Sequence, residues 1–325
     1  MAVEIIKPGI LSTLQGKSRT GFRAIAVGSG GAMDEFAWQA GNSLAGNDGS
    51  LISIEYFHPG PVLRFTAPAL FSVTGPGCQG ILNGTIIPGW HPVMADTGDS
   101  LELPPSKTGR CGYLNIHGGF HAEEFLGSGS TCLSVGAGGF QGRKLVAGDM
   151  LETRSLPLLR EHASVLGWSV PDRDLMMVYG QEKHISCLPA PETPLLGEQT
   201  RQDLSLRSFQ ITPASNRMGY RLQGMAIKPE TTMELVSSPV DRGIIQLLPD
   251  GQLIVLMADH QTTGGYPRIA CVAQADLPRL VQAVSGQQLF FSWGTPETAA
   301  RLRDERSRRL AAIRSACLLN IKRYL

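Results

Sequence analysis

Apolar residues along this chain fall in short runs that end at glycine, proline or asparagine, and this pattern predicts many short strands. In the first half the predicted strands are residues 53–57, 62–65, 70–74, 81–82, 85–87 and 100–103. In the second half, runs at 243–248 and 253–258 flank Pro249-Asp250-Gly251-Gln252. This segment is typical of a hairpin turn, because proline presets the first turn position and glycine tolerates positive φ. The chain is therefore expected to be mainly β.

A helical period is clear in two places. Residues 34–44 put apolar side chains on one face, and Asp34 stands where a helix N-cap belongs. Residues 295–325 are rich in arginine and carry a sparse apolar stripe, so they predict a long basic helix. We expect this C-terminal helix to cover the second domain with one face and to expose its charged face to solvent.

The length of the chain, 325 residues, favours two domains. Apolar alternation fades over residues 154–171, which are interpreted as the linker. The predicted organisation is a first domain at 1–155, a second at 172–294 and the basic helix at 295–325. A turn-to-strand pattern recurs at 97–101, 147–151 and 285–289, and its unequal spacing indicates analogous barrel edges rather than a solenoid repeat.

Charge and cysteine content narrow the classes of partner and compartment. The chain has 29 Lys+Arg and 28 Asp+Glu, a formal net charge of +1, so nucleic acid and anionic membranes are not expected partners. Its six cysteines form no Cys-x-x-Cys pair and follow no apolar leader, which predicts reduced thiols in a cytoplasmic protein. No apolar run approaches the ~18 residues of a membrane span.

Gly16-Lys17-Ser18 has the ending of a phosphate-binding P-loop. The first glycine of that motif would fall at position 11, which is Leu11, and Pro8 interrupts the upstream strand. Residues 19–27 read as extended chain without a helical period, so we do not predict a P-loop here.

Three further motifs lack the neighbouring sequence that their function requires. Residues 75–80 match Gly-x-Gly-x-x-Gly but run into a second hairpin instead of a helix, which predicts a turn. His117 and His121 are separated by a Gly-Gly break, so no metal site is predicted. Residues 127–131 lack the glycine spacing of a serine-hydrolase elbow.

Three glycine-punctuated polar clusters remain, at residues 138–143, 215–222 and 258–267. Loops of this composition leave backbone N–H groups and side-chain donors free to bind a carboxylate or a developing oxyanion. Arginine adds planar bidentate recognition of anions. The structural alternative for each cluster is a glycine bulge with its arginines paired to Asp or Glu. Three such clusters together favour a site.

On these residues the sequence resembles the allophanate hydrolase subunit 2 family. Its members include the C subunit of bacterial ATP-dependent 5-oxoprolinase, Kip-type antagonists of a kinase inhibitor, and the biotin-dependent carboxyltransferase domain of urea amidolyase. The matching segments are residues 7–15, 31–34, 41–47, 126–131, 142–145 with 148–149, 217–222 and 261–267. The resemblance spans about residues 5–291.

The resemblance implies two cyclophilin-like β-barrel lobes with a cleft between them. It implies a B-type partner, which is allophanate hydrolase subunit 1 or the B subunit of 5-oxoprolinase, and a LamB/YcsF-type A subunit for the oxoprolinase reaction. ATP would be a co-substrate of that complex, at a site the sequence does not locate. The implied function is ATP-coupled opening of a small anionic lactam. Biotin-dependent carboxyl transfer, or non-catalytic Kip-like regulation through the B-type partner, are the alternatives.

The candidate site residues come from both halves of the chain. The predicted oxyanion or carboxylate donors are Gln261, Thr262, Thr263, Gly264 and Gly265. The predicted substrate-binding residues are Arg143, Arg217, Tyr220, Arg221, Tyr266, Gln15 and Ser130.

Three positions depart from the family pattern. Gly16 stands where family members commonly have an aspartate, Asn216 where oxoprolinase-like members often have aspartate, and His260 where arginine is usual. Replacing a guanidinium by an imidazole exchanges a permanent charge for a pH-dependent one. A changed substrate or activity is therefore also open.

Overall fold

The computed structural model describes residues 2–153, 164–180, 184–229 and 235–322. The chain divides into two compact units. The first consists of Met1–Arg19, Gly30–Met177 and Ser307–Leu325, and the second of Thr20–Ser29 and Val178–Arg306. Of the predicted linker, residues 154–163 lie outside the described residues.

The strands of the first unit are β1 (Ala2–Lys7), β2 (Leu11–Gln15), β3 (Ser53–Phe57), β4 (Val62–Phe65), β5 (Ala69–Thr74), β6 (Gln79–Leu82), β7 (Thr85–Pro88), β8 (Pro92–Ala95), β9 (Ser100–Glu102), β10 (Cys111–Ile116), β11 (Met150–Glu152) and β12 (Ser164–Val165). The predictions for β3 and β4 are confirmed to the residue, and the other predicted strands differ by no more than two residues at an end. These strands could be predicted because turn-forming residues, mainly glycine and proline, mark the ends of the apolar runs in the sequence.

Two six-stranded antiparallel sheets make up the first unit, with orders β11-β1-β4-β9-β6-β7 and β12-β8-β5-β10-β3-β2. Alternate side chains of both sheets enter one core. Ile5 and Phe65 reach it from one sheet, and Leu14, Ile54 and Leu114 reach it from the other, all fully buried.

Helix α1 (Glu35–Leu44) confirms the helix predicted at residues 34–44. The Asp34 carboxylate accepts a hydrogen bond from the Ala37 N–H at 3.0 Å, as an N-cap should. Hydroxyls of β5 hold the helix against its sheet, because Thr74 and Ser72 each donate to a helix carbonyl at 2.8 Å. Gly41 gives room for this approach, since a Cβ there would lie 2.0 Å from the Asn115 amide nitrogen.

The strands of the second unit are β13 (His184–Pro189), β14 (Phe209–Ile211), β15 (Gly219–Gln223), β16 (Ser238–Pro239), β17 (Ile244–Leu247), β18 (Leu253–Leu256), β19 (Thr263–Gly264), β20 (Arg268–Val272) and β21 (Gln288–Trp293). Seven of them close a barrel in the order β13-β20-β17-β18-β15-β14-β21, and β16 pairs with β19 outside it. The predicted hairpin is confirmed as β17 and β18, with Gly251 at φ +80° in its turn. The cleft expected between two lobes stays a prediction.

Residues 20–29 belong to the second unit although they precede most of the first in sequence. They contain a short 3-10 helix at Arg23–Ile25, so the prediction of extended chain at 19–27 is wrong there. One turn of helix leaves too little periodicity to be recognised in a sequence. Arg23 anchors the segment through an ion pair of 2.9 Å with Asp241.

The remaining helices are α2 (Asp172–Tyr179), α3 (Glu198–Leu206), α4 (Leu277–Gln282) and α5 (Pro296–Ile321). Helix α5 confirms the predicted C-terminal helix. The expectation that it covers the second domain is wrong for its C-terminal half, which belongs to the first unit. There Ile321 packs with Leu70, Met94 and Leu166 in a small apolar cluster, against which Trp168 also packs. None of the helices in the described ranges is long and apolar enough to cross a membrane, and the cytoplasmic location stays a prediction.

Candidate functional site

A row of side chains crosses the outer face of the barrel in the second unit. The register pairs Arg221 of β15 with Ile254 of β18, and Ile254 with Gln246 of β17. Residues directly opposite on neighbouring strands point to the same face. The flanking Tyr220 and Leu222 point inward and are buried, so Arg221 and Gln246 lie outside the barrel on either side of Ile254.

This row forms one side of a cavity of about 340 Å³, called here the Arg221 cavity. Its lining residues are Arg221, Gln246, Leu248, Pro249, Asp250, Ile254, Gln261 and Tyr266. The hairpin turn between β17 and β18 supplies one wall, and the loop that follows β18 supplies Gln261 and Tyr266. The structure therefore brings together three of the predicted site residues, Arg221, Gln261 and Tyr266.

Arg221 has an exposed side chain whose guanidinium makes no hydrogen bond or ion pair with any residue in the described part of the chain. Its backbone is fixed, since its N–H donates to the Ser215 hydroxyl at 2.9 Å. The neighbouring Arg268, paired across from Gln246, is different because Glu192 holds it through contacts of 2.8 and 2.7 Å. Arg221 thus supplies the cavity, which Asp250 also lines, with a cation that forms no ion pair with a described carboxylate.

The loop of predicted donors is anchored at its middle. Thr263 and Gly264 form β19, which pairs with Pro239 and Ser238, and the Thr262 carbonyl accepts the Val240 N–H at 3.1 Å. Gln261 and Thr263 have exposed side chains, and Thr262 is buried. Gly265 is exposed, next to Tyr266 in the cavity wall. Strand pairing holds the loop in place while leaving Gln261 at the cavity.

The other two predicted arginine clamps are bound to carboxylates. Arg217, 4% exposed, binds Asp259 through contacts of 2.7 and 2.9 Å. Arg143 binds Asp149 through two contacts of 2.8 Å. Burial acts to raise the pKa of Asp149, but the hydrogen bond from Arg143 and the Val146 N–H bring that pKa below its ordinary value. Both guanidiniums stabilise loops in this structure.

Tyr220 lies in the barrel core. It is fully buried, and its hydroxyl donates to the Val281 carbonyl at 2.9 Å. The adjacent positions of β15 explain the difference from Arg221, because successive strand residues face opposite sides.

Gln15 and Ser130, predicted from the first half, meet in a polar cluster of the first unit, called here the Ser130 cluster (Gln15, Gly16, Lys17, Ser128 and Ser130). The Ser130 hydroxyl accepts the Gly16 N–H at 2.9 Å and donates to the Lys17 carbonyl at 3.1 Å. Ser128 donates to the same carbonyl at 2.7 Å. Gln15 is fully buried and donates to the Thr131 carbonyl at 3.3 Å.

The contacts of the Ser130 cluster also show how the P-loop-like segment Gly16-Lys17-Ser18 is used. Ser130 engages the Gly16 N–H, and the segment follows β2 without opening an α-helix, so Gly16-Lys17-Ser18 does not form a phosphate cradle. Residues 75–80 form the predicted turn into the β6–β7 hairpin. His117 is buried with Nδ1 2.7 Å from the Ala45 carbonyl, and no metal-binding group of three His, Cys, Asp or Glu occurs among the described residues.

The positions that depart from the family pattern have local roles. His260 is buried, with Nδ1 2.5 Å from the Gln261 carbonyl and Nε2 3.6 Å from Asp241. The nearby His260 ring, the hydrogen bond from the Arg242 N–H and the charge of Arg23 hold the pKa of Asp241 well below its usual value. The Asn216 side chain accepts the Met218 N–H at 2.8 Å, as in an Asx turn.

Sequence reasoning missed Gln246 and Asp250. Asp250 was assigned only to the hairpin turn, and it lines the cavity wall from there. Gln246 stands inside the apolar run of β17, and a polar residue in an otherwise buried strand is the signal that could have found it.

A family model described as "Carboxyltransferase domain, subdomain A and B" matches residues 25–293, which is most of the chain. The chain belongs to this carboxyltransferase domain family. It is 36% identical over 313 residues to the C subunit of 5-oxoprolinase from Escherichia coli (strain K12), covering 94% of this chain and 96% of that protein. The family resemblance found in the sequence is thus confirmed.

Longer relatives contain the carboxyltransferase domain as one part. Urea amidolyase of Saccharomyces cerevisiae is 28% identical over 309 residues, covering 89% of this chain and 16% of that protein. The crystal structure of the urea carboxylase of Kluyveromyces lactis matches with a TM-score of 0.87 and 25% identity, covering 96% of this chain and 29% of that one. The mainly β fold predicted from sequence is confirmed by these likenesses and by the strands themselves.

Proposed function

We propose that this chain is the C-type component of an ATP-dependent 5-oxoprolinase-type complex and binds a small anionic lactam in the Arg221 cavity. The observation that carries the proposal is the Arg221 guanidinium, which forms no ion pair with a described carboxylate and which shares a cavity of about 340 Å³ with two glutamine amides and Asp250. The similarity in length and sequence to the C subunit of the Escherichia coli 5-oxoprolinase supports the same assignment.

In this proposal Arg221 binds the substrate carboxylate through paired N–H donors. Gln261 and the backbone of the loop after it donate hydrogen bonds to the lactam carbonyl oxygen as negative charge develops there. Binding at both ends would orient the ring and contribute to catalysis by positioning. The described cavity lining contains no serine, cysteine or histidine, and the proposal gives Asp250 and Tyr266, whose residue types can act as nucleophiles, no covalent role.

ATP enters the proposal as a co-substrate of the complex. The described Gly16–Ser18 segment does not fit a phosphate, because Ser130 already engages its first N–H. We therefore assign no step on this chain to ATP. The proposed partners are a B-type component and a LamB/YcsF-type A component, in keeping with the Escherichia coli relative, which is named as one subunit of its enzyme.

The test is glutamate release from 5-oxoproline by the reconstituted complex, with Arg221→Ala in this chain. Loss of a charge-assisted bidentate contact should raise KM for 5-oxoproline by about 30-fold to 100-fold. Arg64→Ala removes an exposed arginine of the first unit and serves as the matched control. An unchanged KM in Arg221→Ala would remove the cavity from the proposal.

Biotin-dependent carboxyl transfer is the second candidate. The family description itself names carboxyltransferase, and the urea carboxylase of Kluyveromyces lactis has the same fold. Arg221 would then bind the transferred carboxylate. Transfer from carboxybiotin to urea by a complex with a biotin carrier, lost in Arg221→Ala, would favour this candidate over lactam opening.

A further inference from the structure

Gln246 is a buried amide at an irregular point of the barrel. It is 1% exposed, although it lies on the outer face of β17, because the loop ending at Tyr266 covers it. The register between β17 and β20 shifts between Ile245 and Gln246. The extra residue at this shift is Ile269 of β20, and irregularities of this kind are common beside functional sites.

The orientation of this amide follows from its contacts. Its Nε2 lies 3.4 Å from the Tyr266 carbonyl oxygen, which accepts hydrogen bonds and cannot donate one, so the nitrogen faces Tyr266. Gly264 leaves room for the amide, since a Cβ at position 264 would lie 2.6 Å from Nε2. The φ of Gly264 needs no glycine, so space is the reason for glycine here.

The other end of the amide is unused. No residue of the described ranges donates a hydrogen bond to Gln246 Oε1, and Gln246 lines the Arg221 cavity. An amide oxygen that receives no hydrogen bond from the protein can accept one from a ligand or water in the cavity. The cavity therefore presents a cation on one side of Ile254 and a hydrogen-bond acceptor on the other.

We propose that Gln246 Oε1 accepts the ring N–H of the ligand and so selects cyclic amides over isosteric rings without an N–H. This inference rests on the proposed function in taking the Arg221 cavity as the ligand site. Arg221 and Gln246 stand two strand spacings apart, roughly 10 Å between backbones, and both line the same cavity, which is a span that one compact molecule can bridge between their long side chains. A lactam whose carboxylate neighbours its N–H satisfies both groups at once.

The experiment measures binding to the full chain by calorimetry with two probes. One is 5-oxoproline, and the other is 3-oxocyclopentane-1-carboxylate, in which CH₂ replaces the ring N–H and the carboxylate and carbonyl remain. The wild-type protein should bind 5-oxoproline about tenfold more tightly, the factor expected for one additional hydrogen bond. Gln246→Met keeps the volume and removes the acceptor, so it should abolish this preference by weakening only 5-oxoproline.

A second test variant and a control variant complete the experiment. Gly264→Ala displaces the amide without changing it and should reduce the preference, which covers the case in which Gln246→Met does not fold. Gln210→Met removes an exposed glutamine of β14 and should keep the wild-type preference.

Equal wild-type affinity for the two probes would overturn the role of Gln246 and leave the proposed function standing. A preference that persists in Gln246→Met would do the same. Failure of the wild-type chain to bind either probe would overturn both. Arg221→Ala should weaken both probes by the same factor, which separates anion binding from N–H selection.

Discussion

The Ser130 cluster and the Arg221 cavity both contain polar residues from glycine-rich segments but use their hydrogen-bonding groups differently. In the Ser130 cluster the serine hydroxyls bind neighbouring backbone, as with Ser130 and the Gly16 N–H, and the buried Gln15 Oε1 is left without a described partner. In the Arg221 cavity the guanidinium and the Gln246 Oε1 have no partner among the described residues. Polar residues beside glycine thus serve loop architecture in one region and are available to a ligand in the other.

The difference teaches that residue type alone does not identify a site. Arg143, Arg217 and Arg221 all stand in glycine-rich segments, yet two of them bind aspartates and one does not. Because a bound carboxylate neutralises the guanidinium, the hydrogen-bond partners decide which arginine can hold a substrate anion.

The largest effect should come from Arg217, which lies four residues from Arg221 but is buried in an ion pair. Arg217→Met leaves the Asp259 carboxylate, 16% exposed, without this partner and should lower the free energy of unfolding by about 3 kcal/mol. Arg221→Met is the matched control and should change the free energy of unfolding by less than about 0.5 kcal/mol. Urea denaturation measures the stability of both variants. Equal losses of unfolding free energy would contradict the distinction between an arginine bound to a carboxylate and one available to a ligand.

Much of the fold could be predicted because turn-forming residues mark where its strands begin and end. The boundaries of β3 and β4 follow from proline and glycine in the printed sequence, and the N-cap at Asp34 locates α1. The assignment of residues 20–29 to the second unit could not be predicted, since it depends on the contact of Arg23 with Asp241. Contacts between residues far apart in the chain produce no periodic pattern in the local sequence.

The site was predicted only in part for the same reason. Arg221, Gln261 and Tyr266 stand in conspicuous polar clusters, and the structure brings them together. Gln246 stands in an apolar run, and its role depends on the register that aligns it with Ile254. Neither the register nor the partners of an arginine can be read from composition.

A smaller effect should separate stability from binding in the Ser130 cluster. Ser130→Ala leaves the buried Gly16 N–H without its acceptor, and this should cost about 1 to 2 kcal/mol of unfolding free energy. The Lys17 carbonyl keeps its bond from Ser128. Ser134→Ala, an exposed serine in the same segment, should be neutral. Weaker 5-oxoproline binding in Ser130→Ala, with stability unchanged, would reverse the roles of the two regions.

The smallest effect concerns Arg268, which continues the row of Arg221, Ile254 and Gln246 but is held by Glu192. The hydrogen bond from Arg268 lowers the pKa of Glu192 against the opposing effect of burial. A lowered pKa stabilises the folded state above the unfolded value of about 4.3, and that stability is lost as the pH falls through the folded pKa.

Glu192→Gln should therefore cost about 1 kcal/mol of unfolding free energy at pH 6, with the gap to wild type closing below about pH 4. Urea titrations at several pH values measure the gap. A gap that stays constant with pH would mean that Arg268 is not bound to Glu192. The row would then carry two available cations around Gln246, and the cavity would favour a dianion over the monoanionic lactam proposed for it.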